Sequence, residues 1–436
     1  MIILDKHIWR DGEIVPSRFE EITDNSDPIN KWAGGDRVEI YHEEKQTVIG
    51  FGGAFTEASA YNYAQLDKDE KKKALDLLFG QNGLRYNFCR LCMGSSDFSL
   101  DGYTYVENDD PELRTFSIER DKKYIIPFVK DALEYTGGKI TLLASPWSPP
   151  VFMKTTDELI HGGQLKKEYY PVFARYFRLF LEEYDKEGVR IDYITPMNEP
   201  RKQKWQSCEF TFEDMADFID ILADELNSNL SWHVNILCWD FNRGGMYPHA
   251  KTVFEKTGNK VCGTAFHWYS GQHLGELKMM HDFYPDKLLI ETEFCHGLGS
   301  KFFGHYCTEY IDVLDNWANG SVEWNMILDE NGGPYFARDF GCNSTLFRSS
   351  DNRIEKRGVY TQSYMFSHYI DKNAAVLYTS SAKKHLMTLA VKNPDGKILL
   401  YIYNDSHVDD FCTVYIDNIK FKIQVPESCL ILYELK

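Results

Sequence analysis

The segment Arg190-Ile191-Asp192-Tyr193-Ile194-Thr195-Pro196-Met197-Asn198-Glu199-Pro200 decides the fold that this sequence predicts. Its first part is an apolar, β-branched run typical of a strand, and the strand ends on Glu199. A second apolar run, Lys287–Ile290, ends in the same way on Glu291 and Glu293. A buried carboxylate is costly without a partner, so acidic residues at strand ends indicate a site rather than core packing. Because the C-terminal strand ends of a β/α barrel converge, the two stretches predict a barrel with paired carboxylates at its mouth.

Outward from this segment, strand-like and helix-like stretches alternate along most of the chain. Helical patterns at Lys68–Phe79 and Tyr170–Glu187 are each followed by a glycine, a common helix terminator. The predicted barrel strands are Thr47–Phe51, Leu84–Cys92, Ile140–Ala144, Ile191–Met197, His233–Cys238, Gly263–Trp268, Lys287–Glu293 and Ser321–Met326. Such alternation favours a parallel sheet with crossover helices, and these strands predict an α/β protein with a closed (β/α)8 TIM barrel.

The pattern changes after the helical stretch Val359–Asp371, which is the last predicted barrel helix. The short strands predicted beyond it are Ala375–Thr379, Leu386–Lys392, Lys397–Asn404, Thr413–Ile416 and Lys422–Val425. The first 46 residues also carry strand fragments, such as Arg37–Tyr41, and no helix of convincing length. We therefore expect an accessory antiparallel β-sandwich domain built from residues 1–46 and 373–436, and a barrel over residues 47–372.

The charge balance excludes several classes of partner. The chain has 66 acidic and 48 basic residues and a formal net charge of −18, so phosphate backbones and anionic membranes should repel it. We expect no nucleic acid partner and no membrane insertion, since no apolar run approaches the length of a membrane span. The N-terminal residues show no secretory pattern, and a cytoplasmic location is expected unless a signal segment was removed. The sequence gives no prediction about protein partners.

The ten cysteines follow no disulfide framework, and a chain of 436 residues does not need such cross-links. We expect mostly reduced thiols, including Cys89 and Cys92, which fall in a strand-like run. No cluster of His and Cys has the spacing of metal ligands, so the sequence predicts neither a metal nor a cofactor.

Seven motifs stand in order at the predicted strand ends. They are Gly50-Phe51-Gly52-Gly53-Ala54-Phe55-Thr56-Glu57, Ser96-Asp97-Phe98-Ser99, Leu143-Ala144-Ser145-Pro146-Trp147-Ser148-Pro149-Pro150, Asn198-Glu199-Pro200, His267-Trp268-Tyr269, Glu291-Thr292-Glu293-Phe294-Cys295 and Trp324-Asn325. In this order they cover nearly the whole chain, which resembles glycoside hydrolase family 30, whose retaining β-glycosidases include the glucosylceramidases. One such motif would be a weak signal, whereas seven in register are a strong one.

The resemblance implies that Glu199 is the general acid/base and Glu293 the nucleophile. Cleavage of a glycosidic bond needs one carboxyl group as acid and another as nucleophile or base. The residues alone leave Glu291 and Glu293 as alternatives, since positions two apart on a strand point to the same face. Position favours Glu293, which is nearer the barrel mouth, and the family motif places the nucleophile just before an aromatic or small residue and Cys295. Glu291 is expected to be a buried partner of Arg90 or a hydrogen-bond relay.

The resemblance implies further residues around the carboxylates. Asn198 would bind the sugar 2-hydroxyl, Tyr269 would hold the nucleophile, and His267 would lie beside the acid/base, although a satisfied core histidine fits His267 equally well. Asp240 would line the pocket and Arg90 would lie beneath it, both as supports.

The resemblance also implies that Asp97, Trp147 and Trp324 form the pocket for the glycone, the sugar that is transferred. An aspartate accepting hydroxyl hydrogen bonds and an indole donating one would bind a neutral hexose and reject its isomers. Two departures from the glucosylceramidases bear on the substrate. The loop Arg201–Gln206 is shorter and more basic, which predicts a leaving group other than a sphingolipid. Asp339 stands where glucosylceramidases place an asparagine near the sugar, which leaves the identity of the sugar open.

The sequence thus predicts a retaining hydrolase of a β-linked neutral sugar in a glycoside or oligosaccharide, with a β-glucoside as the first choice. A β-xylosidase or a β-1,6-glucanase is the alternative within the family. A non-catalytic carbohydrate-binding barrel is the alternative from another class, and the presence of both Glu199 and Glu293 argues against it.

Overall fold

The computed structural model describes residues 2–15, 19–22, 36–106, 109–271, 273–300, 304–417 and 419–435. Contacts along the chain separate it into two compact units. The first comprises Met1–Gly50, Lys301–Gly320 and Gly358–Lys436, and the second comprises Phe51–Ser300 and Ser321–Arg357. The domain boundaries expected at residues 46 and 372 stay a prediction.

The strands of the described residues are numbered in chain order. They are β1 (Ile2–Arg10), β2 (Glu13–Val15), β3 (Phe19–Ile22), β4 (Arg37–Thr47), β5 (Gly50–Phe55), β6 (Phe88–Met93), β7 (Thr141–Pro146), β8 (Tyr193–Ile194), β9 (Asn235–Asn242), β10 (Gly263–His267), β11 (Leu288–Glu293), β12 (Gly320–Asn325), β13 (Ile327–Asp329), β14 (Leu346–Arg348), β15 (Ile354–Lys356), β16 (Ala375–Ser381), β17 (Leu386–Lys392), β18 (Ile398–Asn404), β19 (Asp410–Ile416), β20 (Ile419–Val425) and β21 (Cys429–Leu435).

The α-helices are numbered in the same way. They are α1 (Glu57–Ala64), α2 (Lys68–Phe79), α3 (Ile125–Thr136), α4 (Tyr170–Lys186), α5 (Phe212–Asn229), α6 (Met246–Thr257), α7 (Gly275–Phe283), α8 (His305–Asp315) and α9 (Gly358–Ser367). Helices α1, α2 and α5 begin after Thr56, Asp67 and Thr211, whose side chains accept hydrogen bonds from backbone N–H groups of the first turn. Across the described part of the chain, no helix combines the length and apolar character needed to cross a membrane.

Strands β5 to β12 form a closed barrel, in which each strand is hydrogen-bonded to the next and β12 is hydrogen-bonded to β5. The predicted eight-stranded TIM barrel is therefore confirmed. Strands β5, β6 and β12 are buried at every residue. Burial on both faces explains why β5 and β6 do not alternate between apolar and polar residues as a half-exposed strand would.

Several predicted barrel strands differ in extent from those observed, among them the second, expected at Leu84–Cys92 and observed at Phe88–Met93. The first was expected at Thr47–Phe51, but Thr47 ends β4 and pairs with Ala375 in the other sheet, so the barrel strand begins at Gly50. The fourth was expected at Ile191–Met197, but β8 has only two residues. Pro196 has no backbone N–H to donate to a neighbouring strand, which explains why pairing stops early.

The first unit contains a ten-stranded sheet in the order β2-β1-β21-β18-β17-β16-β4-β19-β20, with β3 also paired to β1. Strands β1 and β21 pair antiparallel, which confirms that both termini build one antiparallel β-domain. Within the described part of this sheet, β4 and β19 run parallel, and the other strand pairs are antiparallel. Strand β20 also contacts β18 and β21, so the sheet packs on itself around a shared apolar core. Strand β21 was missed because its residues are all buried and show no alternation.

The backbones of the first two barrel strands pass close to each other at Gly52. A Cβ atom at Gly52 would lie 1.8 Å from the backbone oxygen of Phe88 in β6, whereas one at Gly275 in α7 would meet nothing within 4 Å. Gly52→Ala is therefore expected to lower the free energy of unfolding by roughly 2 kcal/mol or more, because backbone atoms must move apart. Gly275→Ala, the matched control, should leave it unchanged. Equal stability of the two variants in chemical denaturation would contradict this packing.

Candidate active site

Two glutamates and a histidine meet at the C-terminal ends of barrel strands. Glu293 is the last residue of β11 and His267 the last of β10, while Glu199 follows β8 with a positive φ of 42°. The backbone N–H of Glu199 donates to the carbonyl of Asp240 at 2.9 Å, which fixes this turn. One side-chain ligand atom of each of the three residues lies within 4.8 Å of the others, and all three residues are buried. The strand ends thus bring Glu199 and Glu293 into one site.

One arginine, Arg90, contacts several residues of this site. Arg90, in β6, has no exposed side-chain surface. It donates from Nη1 to Glu293 Oε2 at 2.7 Å, and from Nη2 to Asn198 Oδ1 and Asp240 Oδ2, both at 2.8 Å. Its contacts with Glu293 and Asp240, on other barrel strands, place the guanidinium inside the barrel. Arg90 therefore connects residues from β9, β11 and the segment after β8.

Asp240 is the second organising group. Its carboxylate accepts hydrogen bonds from the hydroxyl groups of Thr195 (2.5 Å), Ser145 (2.9 Å) and Thr292 (2.6 Å). Burial alone would raise the pKa of Asp240, but Arg90 and its other partners outweigh burial, and the pKa is lowered. The three hydroxyl residues were missed in the sequence, since side chains of their type at strand ends are common and carry no distinctive pattern.

His267 bridges two carboxylates. Its Nδ1 lies 3.1 Å from Glu199 Oε1, and its Nε2 lies 3.1 Å from Asp240 Oδ1. Burial lowers the pKa of His267, but Glu293, Asp240 and Glu199 outweigh that effect and raise it to about 9. The ring is therefore an imidazolium at neutral pH, with both nitrogens donating.

Glu199 has a second partner that the sequence did not suggest. The amide Nε2 of Gln203 donates to Glu199 Oε2 at 3.0 Å. Gln203 lies in the loop that follows Glu199, and nothing in the basic run around it distinguished this residue. The carboxyl group of Glu199 is thus held by a cation on one oxygen and an amide on the other.

Glu293 is bound from both sides. Arg90 contacts one oxygen, and the hydroxyl of Tyr269 donates to the other at 3.0 Å. Burial raises the pKa of Glu293 to about 6, assisted by Glu199 and Asp97 and opposed by His267 and Arg90. Glu293 therefore ionises between mildly acidic and neutral pH.

Glu291, the alternative acidic residue on β11, has a different environment from Glu293. Its Oε2 accepts a hydrogen bond from the hydroxyl of Ser321 at 2.5 Å, and the residue is fully buried. Arg90 donates to Glu293, whereas the hydroxyl of Ser321 donates to Glu291. This arrangement distinguishes the two glutamates that the sequence left as alternatives.

Two stacked indole rings lie against the guanidinium of Arg90. Trp147 and Trp324 have ring centroids 5.1 Å apart and planes tilted by 23°. The Arg90 guanidinium lies 4.8 Å from the first centroid and 5.5 Å from the second. Asp97, also buried, is in electrostatic range of both Glu199 and Glu293. These aromatic and acidic groups form a mixed apolar and polar surface of the kind that binds a sugar ring.

Asp339 stands apart from this group. Its side chain is 76% exposed and forms an ion pair with Lys204 at 3.0 Å, on the rim rather than in the site. The preceding residue, Arg338, contacts the carboxylate of Asp97 instead. Successive residues of an irregular loop direct their side chains differently, and the sequence could not indicate which of the two turns inward.

The cluster of Glu199, His267 and Glu293 also has the spacing of a metal site. Binding of a metal requires a neutral imidazole nitrogen with a free lone pair. Both nitrogens of His267 already face carboxylates, and its raised pKa keeps it protonated. The chemistry of these donors therefore fits proton transfer better than metal binding.

Comparison with known proteins places this chain in a family. The model of the glycosyl hydrolase family 30 TIM-barrel domain matches residues 48–370. Lysosomal acid glucosylceramidase of Mus musculus is 31% identical over 425 residues, covering 90% of this chain and 82% of that protein. Endo-1,6-β-D-glucanase of Neurospora crassa is 26% identical over 393 residues, covering 85% and 81%. The crystal structure of SrfJ from Salmonella typhimurium matches with a TM-score of 0.93 and 26% identity over 99% of both chains. The chain belongs to glycosyl hydrolase family 30 and is an O-glycosyl hydrolase.

Proposed function

We propose that this protein hydrolyses β-glucosides with retention of configuration, with Glu293 as nucleophile and Glu199 as general acid/base. The observation that carries the proposal is the separation of the two glutamates, whose closest ligand atoms lie within 4.8 Å. Retaining glycosidases have carboxyl groups about 5–5.5 Å apart, whereas inverting ones need about 6.5–9.5 Å to admit a water molecule. The short separation favours direct attack by a carboxylate.

The charges of the buried site support one nucleophile and one acid. Arg90 and His267 supply two positive charges, against the carboxyl groups of Asp240, Glu199 and Glu293. The set is neutral when one carboxyl group carries a proton, and buried sites favour charge balance. The lowered pKa of Asp240 leaves that proton to the glutamate pair. Attack on the sugar requires an ionised Glu293, to which Arg90 and Tyr269 donate, so we assign the proton to Glu199 in the reacting complex.

The reaction then proceeds by two displacements. A carboxylate oxygen of Glu293 attacks the anomeric carbon, the glycosidic bond breaks, and its electron pair passes to the leaving oxygen, which takes the proton from Glu199. In the second step Glu199 removes a proton from water, the water oxygen attacks the anomeric carbon, and the bond to Glu293 breaks with its electrons returning to the carboxylate. Arg90 and Tyr269 stabilise the regenerated carboxylate.

The surroundings of Glu293 support a neutral glucose as the glycone. Trp147 and Trp324 offer apolar rings, while Asp97 and Asn198 offer groups for hydroxyl hydrogen bonds. The names of the glucosylceramidase and the 1,6-β-glucanase among the relatives both refer to glucose. A β-1,6-glucanase is the second candidate, supported by the Neurospora crassa relative.

The leaving-group side supports a polar aglycone. Lys204 and Asp339 form their ion pair there with side chains 74% and 76% exposed, and Arg201 and Lys202 are exposed as well. A charged, hydrated rim gives little apolar surface for lipid chains. We therefore propose a sugar or another polar group, rather than a ceramide, as the leaving group.

The catalytic roles are tested with 2,4-dinitrophenyl β-glucoside, whose leaving group departs without a proton, and with a methoxyphenyl β-glucoside, whose leaving group needs one. Glu199→Ala should lose at least about 100-fold in kcat/KM on the second substrate only, and azide should accelerate its turnover of the first. Glu293→Gln should be inactive on both. Glu291→Gln, the matched control two residues earlier, should retain most of the activity.

Three results would contradict this proposal. A wild-type protein that cleaves no β-glucoside would exclude the function. Azide rescue of Glu293→Gln rather than of Glu199→Ala would mean that the roles are exchanged. Loss of activity in a folded Glu291→Gln equal to that in Glu293→Gln would reopen the choice of nucleophile.

The hydrogen bond from Tyr269 to Glu293 should tune the pH dependence. Because Glu293 must be ionised to attack and its pKa is about 6, kcat/KM should fall as the pH drops through about 6. Tyr269→Phe removes a donor to the ionised form, so kcat/KM should fall roughly tenfold and the acidic limb should move to higher pH. Tyr335→Phe is the control, since the exposed fraction of Tyr335, 39%, is similar to that of Tyr269, 42%. If the acidic limbs of the two variants lay at the same pH, Tyr269 would not be stabilising the ionised form of Glu293.

A further inference from the structure

Arg338 makes a contact for which neither the mechanism nor the resemblance gives a reason. Its Nη1 donates to Oδ2 of Asp97, and only 11% of its side chain is exposed. The guanidinium carbon lies 5.0 Å from the ring centroid of Phe98, 5.1 Å from that of Trp205 and 4.7 Å from that of Phe340. A planar cation among three rings is held in one orientation by cation–π attraction and packing.

The segment that carries Arg338 is fixed at several points. The backbone N–H of Phe336 donates to the carbonyl of Asp97 at 2.8 Å, and that of Leu298 donates to the carbonyl of Gly341 at 3.1 Å. Asp97 is therefore bound to this segment through its backbone as well as its side chain. Arg338 is built into the wall of the pocket rather than resting on its rim.

The ion pair with Arg338 limits the hydrogen bonds that the carboxylate of Asp97 can accept from a sugar. With Oδ2 occupied by the guanidinium, the other oxygen remains the main acceptor for a hydroxyl group. The N–H at Nε of Arg338 is buried and has no hydrogen-bond partner among the residues that the structure describes. A buried donor without a partner costs free energy, which a bound oxygen atom would recover.

We propose that Arg338 is a specificity-determining residue, which together with Asp97 binds two neighbouring hydroxyl groups of a neutral glycone. One hydroxyl donates to the free carboxylate oxygen of Asp97, and the oxygen of the next accepts an N–H from Arg338. Two groups of opposite hydrogen-bonding character match a pair of adjacent hydroxyls better than an aspartate alone. The inference rests on the proposed β-glucosidase function and adds the residue that selects the sugar.

The ion pair also explains why the glycone is neutral. Asp97 balances the charge of Arg338, and the carboxyl groups of Glu199 and Glu293 lie in electrostatic range of Asp97. A sugar carboxylate would meet a cation that is already paired, with further acidic groups close by. The pocket therefore disfavours uronic acids in spite of its arginine.

The test compares three variants on aryl β-glucosides with and without the hydroxyls that the pair would bind. Arg338→Met removes the charge and keeps the length, Arg338→Lys keeps the charge and loses the planar fork, and Lys278→Met is the control. Lys278 lies in α7, where it pairs with Asp282, and its side chain is 63% exposed. The substrates are the 4-nitrophenyl β-glucoside and its 4-deoxy and 6-deoxy analogues, with thermal unfolding measured alongside.

Arg338→Met should lower kcat/KM on the glucoside about thirtyfold, and the loss should shrink to a few-fold on the analogue that lacks the contacted hydroxyl. Arg338→Lys should recover part of the activity, and Lys278→Met should stay within about twofold of the wild type. If Arg338→Met does not fold, the same comparison of glucoside with deoxy analogues is made with Arg338→Lys.

An equal loss on all three substrates would overturn the inference, because Arg338 would then support the pocket without contacting the sugar. No loss on any substrate would overturn it as well. Failure of the proposed function is distinguished by the wild type, which would then leave all three glucosides uncleaved.

Discussion

The buried guanidinium of Arg90 is the constraint on which the rest of the site depends. A charge without exposed surface costs several kcal/mol unless it is paired, and removing one partner of such a pair is strongly destabilising. Arg90 meets this cost by binding Glu293, Asn198 and Asp240 together. These residues come from β9, β11 and the segment after β8, so one cation fixes the relative positions of Glu293 and its neighbours. The barrel must close correctly for Arg90 to be satisfied.

His267 completes the electrostatic arrangement that Arg90 begins. Its raised pKa makes it the second cation of the site, set between Glu199 and Asp240. Two cations and three carboxyl groups are balanced when the glutamate pair carries one proton, as the proposed roles of one acid and one nucleophile require. Deprotonation of His267 above about pH 9 would remove that balance, and since its pKa is raised on folding, the stability that it contributes is lost as the pH rises through 9.

Much of the fold could be predicted from the sequence because barrel strands are buried on both faces and end on polar residues. Both features are local, and the motifs around Glu199 and Glu293 mark two of the strand ends. Strand β21 was missed because an uninterrupted buried run lacks the alternation that identifies an antiparallel strand. The short β8 was overestimated, since an apolar sequence does not reveal where pairing stops at Pro196.

The candidate site was less predictable than the fold. Tyr269 and His267 could be named because the motif that contains them resembles the one that the family carries after a barrel strand. Contacts made by loops could not, because their side-chain directions depend on partners far away in the sequence. Gln203 and Arg338 reach the site from loops, while Asp339, adjacent to Arg338, faces the rim.

The central claim, that Glu293 forms a covalent bond to the sugar, is tested most directly by trapping that intermediate. The enzyme is incubated with a 2-deoxy-2-fluoro-β-glucosyl fluoride, whose fluorine slows hydrolysis of the intermediate, and its peptides are analysed by mass spectrometry. The account predicts one 2-fluoroglucosyl group per chain, attached to Glu293 and absent from Glu293→Gln. A label on Glu291 or Glu199, or an active enzyme that hydrolyses glucosides and never becomes labelled, would contradict it.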